Sequence, residues 1–154
     1  VEPSVIDIVT IGKVVQAAVA PVFLLTGIVA LLGVLSTRLG RLTDRARVLE
    51  ARIQNNEGTE QAKTLNLELL LIWKRARWIT RSFSLTVLSA LHICLVVVSL
   101  FYSHFASVNL SKVISVLFIL AMVFLIMSLA GLLREIYMAA EGIKKGMKGT
   151  KGKA

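Results

Sequence analysis

The sequence predicts an all-α integral membrane protein with three transmembrane helices, and three observations predict it. Val14 to Thr37, Ser82 to Ser111 and Val113 to Leu133 contain no Asp, Glu, Lys or Arg. Each window meets the roughly 20 helical residues that a bilayer core of about 30 Å requires. Hydrophobic residues make up 56% of the 154, and mean hydropathy is +0.77. Too few polar residues remain to cover that apolar surface in water. The basic residues are placed unevenly: ten lie between the first two windows, six follow the third, and the link between the second and third has only Lys112. This is the positive-inside pattern, which predicts an inner (cytoplasmic) membrane with the N-terminus outside and the C-terminus inside.

The net charge of +9 would suit nucleic acid, but its confinement to one side of the apolar windows points to anionic lipid head groups instead. Trp73 and Trp78 before the second window, Tyr102 near its far end and Tyr137 after the third fit interfacial aromatic belts. The single cysteine, Cys94, cannot form an intrachain disulfide. The first window is too long for a signal-peptide h-region and runs into arginines instead of a cleavage site, so a cleavable signal is not expected.

Residues 1–13 read as an N-terminal interfacial segment, with Ser4 and Asp7 resembling a capping box. Transmembrane helix 1 spans 14–37 and holds Pro21, which is expected to kink it. Residues 38–81 read as a cytoplasmic antiparallel helical hairpin, coiled-coil-like, extending spans one and two. Leu39, Leu42, Ala46, Leu49 and Ile53 recur at spacings of three and four, as do Leu65, Leu69, Ile72, Ala76, Ile79 and Phe83; both are heptad seams. Asn55 to Thr59 reads as the turn between them. Transmembrane helix 2 covers 82–104, a short outer loop 105–112 and transmembrane helix 3 113–134. Residues 135–154 form a basic tail, helical to about Lys145 through Glu141 and its lysines and flexible beyond.

Four sets of residues are candidates for function. Thr26, Ala30, Gly33 and Thr37 share one face of the first span, and small residues there predict close helix packing, within the chain or between copies. Ser82, Thr86, Ser89, His92, Ser99 and Ser103 form a polar stripe on the second span, which either bonds across helices or lines a hydrated, gated path. His92 is the sharpest of these, an ionisable group near bilayer mid-depth. Arg38, Arg41, Arg45, Arg52, Arg77 and Arg81 form either a solvated coiled-coil surface, an anion-attracting vestibule, or a site for anionic lipid or an acidic partner. Asp44, three residues from both Arg41 and Arg47, is placed to pair with them. No metal-ligand cluster, phosphate loop or activated nucleophile is recognisable, so neither catalysis, a metal nor another cofactor is expected.

The run Ala20-Pro21-Val22-Phe23-Leu24-Leu25-Thr26-Gly27, then Arg38-Leu39-Gly40-Arg41 and Asp44-Arg45-Ala46-Arg47, carries a resemblance, as does Arg75-Ala76-Arg77 leading into Leu88 to Val96. Together they resemble a bacterial three-helix membrane family, domain of unknown function 2721, over roughly Val14 to Met138. The resemblance implies three spans and no established activity. The residues are read as those of a homo-oligomeric ion channel or pore, with a membrane anchor or scaffold whose cytoplasmic hairpin binds or stabilises another protein complex as the alternative.

Overall fold

The computed structural model describes residues 5–55, 58–106 and 108–151, with side chains from 11 to 139 among them. Three long helices account for nearly all of them: α1 (Val5–Asn55), α2 (Glu60–Phe105) and α3 (Ser111–Lys151). All three are long and apolar enough to cross a membrane. Each carries an apolar window and a more polar extension as one element, because helix propagation adds a hydrogen bond per residue at little further cost. The interfacial segment before residue 14 is therefore not separate: α1 runs from Val5 through Pro21 without a break. The Ser4–Asp7 cap lies outside the described side chains. α3 also corrects the flexible tail, since it stays helical to Lys151; glycines such as Gly146 and Gly149 cost only about 1 kcal/mol each.

The connections follow local chemistry. Gly58, at φ +84°, turns the chain between α1 and α2, a conformation glycine adopts without steric cost. Thr59 then caps α2, its carbonyl and hydroxyl oxygens both accepting from the Ala62 amide. Asn109 starts α3, its side-chain oxygen accepting from the Ser111 amide at 3.1 Å and hydroxyl at 2.7 Å.

The chain divides into two compact units, through both of which every helix passes. The first comprises Val1–Leu32 and Leu85–Ile126. Its core is Ile28 of α1, Ile93 of α2 and Ala121 of α3, with Leu24, Leu25, Ala90 and Leu125 around them. Ala121 is small enough for α2 to come close, and the buried Ser89 hydroxyl donates to its carbonyl at 2.8 Å.

The second unit comprises Gly33–Ser84 and Met127–Ala154. Leu35, Leu42, Ala46 and Leu49 of α1 and Ala62, Ile72, Ala76 and Ile79 of α2 are buried here. They are largely the two heptad seams. Arg45 and Glu68 form an ion pair between the same two helices. Asp44 is exposed and, among the described residues, pairs with neither Arg41 nor Arg47. α3 contributes buried polar groups, Ser128 and Glu135.

Close packing occurs between α2 and α3, not on the small face of α1. Thr26, Ala30, Gly33 and Thr37 are exposed, whereas the opposite face, bearing Ile28 and Leu35, turns inward. The larger side chains of α1 bury more apolar area, which decides which face is covered. On α3, a β-carbon added at Gly131 would lie 2.3 Å from the Ser82 hydroxyl oxygen. Beside it the Ser128 hydroxyl donates to the Ser82 carbonyl at 2.8 Å. A β-carbon at 131 thus fits only if the Ser82 hydroxyl turns away, a matter of space and not of backbone angle.

Gly131→Ala is expected to destabilise the protein by about 1–3 kcal/mol through overpacking. Adding Ser82→Ala removes the clashing oxygen and leaves the Ser82 β-carbon at 3.6 Å, an ordinary contact. In a double-mutant cycle followed by detergent melting, the pair should be less damaging than the sum of its members. Strict additivity would show that the helices do not approach this closely.

Candidate functional site

The most constrained group in the second unit is a carboxylate. Glu135 follows the third apolar window by two residues, and its side chain is 2% exposed. A carboxylate removed from water needs compensating charge and donors. Two helices supply them. Arg38, the first residue after the α1 window, donates from Nη1 to Oε2 at 3.0 Å. Arg75 of α2 donates to Oε1 from Nη2 at 2.8 Å and from Nε at 3.3 Å. Each oxygen has its own arginine, so one carboxylate ties α3 to both other helices. The arginines are 41% and 28% exposed, which keeps their outer edges in contact with solvent.

A second cationic feature lies on the same segments of α2 and α3. The Arg134 guanidinium carbon stands 4.3 Å from the Trp78 ring centroid and that of Arg81 5.5 Å away. Both distances permit cation–π attraction. Arg41 and Arg77 are exposed, as is Arg52, while Arg45 is engaged by Glu68. Arg38 therefore takes part in the packing of the unit. The structure splits the expected arginine set into a clamp residue, Arg38, an ion-paired residue on the hairpin, Arg45, a residue over the Trp78 ring, Arg81, and exposed residues, Arg41, Arg52 and Arg77.

The polar stripe of α2 is largely turned inward. Ser82, Thr86 and Ser89 are buried, and Ser89 bonds across to α3. His92 is half-buried with its Nδ1 2.8 Å from the Leu88 carbonyl oxygen. A carbonyl only accepts, so Nδ1 carries the proton in this arrangement. The imidazole also tilts against Phe124 of α3, with centroids 5.1 Å apart. Ser103 donates to the Val108 carbonyl at 2.7 Å, securing the end of α2, and Ser99 is half-buried. Thr26 and Thr37 bond their own helix four residues back, at Val22 and Gly33. Pro21 is buried.

Sequence reasoning missed Glu135, Arg75, Trp78 and Arg134 as a site. A signal for the first was present: Ala121, Ser128 and Glu135 recur every seven residues, and among the described side chains they are the buried residues of α3. A carboxylate in register with the packing line of an apolar helix should have a cationic partner.

Three such helices, joined by a buried ion triad and by hydroxyl-to-carbonyl bonds, suggest a membrane protein. The chain belongs to the family described as a protein of unknown function, DUF2721, whose model matches residues 18–145. No curated protein and no solved structure matches it.

Arg75→Met should destabilise the protein by about 3 kcal/mol, because Glu135 then keeps one of its two cations. Replacing Arg38, Arg75 and Glu135 together by Leu, Met and Gln should recover much of that loss. Equilibrium unfolding in mixed micelles measures both. A triple variant weaker than Arg75→Met would contradict the desolvation account.

Proposed function

We propose that the chain is a homo-oligomeric membrane scaffold of the inner membrane, its N-terminus outside and its basic ends inside, with the α1–α2 hairpin as a docking arm in the cytoplasm. The observation that carries this reading is the apolar surface of the hairpin. Leu67, Leu70 and Leu71 are each more than three-fifths exposed, and Trp73 and Val48 are half exposed. Leu70 lies twelve residues before the second apolar window, or about 18 Å along the helix. Apolar residues clustered that far from the lipid-facing run favour a protein partner. Lys74 and Arg77, exposed nearby in sequence, favour an acidic rim on that partner.

Self-association is supported by the exposed small face Thr26, Ala30, Gly33 and Thr37, which would let two α1 helices approach within a bilayer. A pore between copies is the second reading. Its support is the exposed arginines, which repeated around an axis would attract anions. Within one chain, the inward turn of Ser82, Thr86 and Ser89 weighs against a path along that stripe. We assign the protein no catalysis, metal or other cofactor.

Single cysteines at Ala30, Gly33 and Val98, each in a Cys94→Ser background, test the assembly. On oxidation in native membranes, the α1 positions should give disulfide-linked dimers and Val98 should not. Equal yields at all three would contradict an α1 interface. Liposomes holding the wild-type protein at high density should stay tight to potassium and chloride gradients; selective flux would favour the pore.

A further inference from the structure

Two arginines contact the ring of Trp78. Arg81 immediately precedes the apolar window of α2, and Arg134 immediately follows that of α3. Arg38 immediately follows the window of α1, and Glu135 binds it in the same unit as both other arginines. All three apolar runs thus stop around one level, marked by an indole, the side chain enriched at the head-group boundary. Two guanidiniums from two helices share that indole. A cation–π contact consumes no N–H hydrogen bond, so it leaves the guanidinium donors, whose fork matches phosphate oxygens, to other partners. Among the described residues neither Arg81 nor Arg134 forms an ion pair. Glu135, the neighbour of Arg134 in sequence, is already held by Arg38 and Arg75. The local surplus is therefore positive, half-anchored and placed where lipid phosphates lie.

We propose that Trp78, Arg81 and Arg134 form a binding site for the phosphate of an anionic phospholipid, with the two guanidiniums donating to its oxygens and the indole fixing their spacing. The proposal rests on the bilayer placement of the helices and is independent of scaffold or pore. It assigns to these side chains a specific lipid, distinct from the diffuse attraction of a basic surface.

Because the chain has two tryptophans, Trp73→Phe leaves Trp78 as the sole indole reporter. This variant is reconstituted in bilayers where either phosphatidylglycerol or phosphatidylcholine carries brominated acyl chains, and quenching of Trp78 gives the relative association constant. Phosphatidylglycerol should be preferred on the order of ten-fold. Arg81→Gln with Arg134→Gln should bring the ratio near one, whereas Arg41→Gln with Arg47→Gln, an equal change of charge, should leave it unchanged. Arg81→Lys with Arg134→Lys should lie between. Equal quenching by both lipids overturns the proposal whether or not any variant folds. So does a preference that survives loss of Arg81 and Arg134, or one lost equally with Arg41 and Arg47. Inorganic phosphate that reverses the preference at millimolar concentration would assign the site to a soluble phosphate and overturn the lipid source.

Discussion

A single buried carboxylate constrains this structure more than any apolar contact does. Glu135 sits at the end of the third apolar run, almost wholly removed from solvent. An uncompensated charge there would be far more costly than any one side-chain contact is favourable. The requirement that it meet Arg38 and Arg75 sets which faces of the three helices point together. In the second unit α1 and α2 bury Leu, Ile and Ala, whereas α3 offers serine and glutamate. Hydrophobic complementarity thus accounts for the α1–α2 pairing, and charge compensation for the attachment of α3. Such a pairing adds specificity more than raw stability, because the desolvation cost offsets much of the attraction.

Between α2 and α3 the same logic operates with neutral groups. Where lipid is as apolar as the side chains, helices gain by approaching closely and by bonding hydroxyls to carbonyls. Gly131 provides the space, and Ser89 and Ser128 provide the bonds. That use of the serines has a functional consequence. Hydroxyls spent on helix packing are poorly placed to line water, so the apolar and basic outer surfaces become the informative ones. They divide by position into a small face on α1, a leucine face on the hairpin and an arginine pair around Trp78.

Most of the fold was legible, because long uncharged runs and heptad spacing leave few alternatives. The turn was legible from Gly58, and part of each seam from its spacing: Leu42, Ala46, Leu49, Ile72, Ala76 and Ile79 are buried, while Leu39, Ile53, Leu65, Leu69 and Phe83 are half-buried. What was not legible shares a cause. Small residues on α1 carry the same composition signal as Ser89, Ala121, Ser128 and Gly131, and composition alone does not say which small face meets a neighbour within the chain. The arginines looked equivalent on one helical face, yet Arg38 differs from Arg41 because a glutamate 97 residues away reaches it. Long-range pairing of that kind is invisible to local periodicity. The seven-residue recurrence of Ala121, Ser128 and Glu135 was the one clue to it.

The most direct test is a distance measurement on the triad itself. Solid-state NMR dipolar recoupling between ¹³Cδ-labelled glutamate and ¹⁵N-guanidinium-labelled arginine would be recorded in bilayers. A Glu68→Gln background removes the Arg45–Glu68 pair. A strongly dephased glutamate signal should remain, and it should weaken in Arg38→Gln and in Arg75→Gln separately. Absence of that signal in the Glu68→Gln protein would mean that Glu135 is not clamped, and that another interaction holds α3 in place.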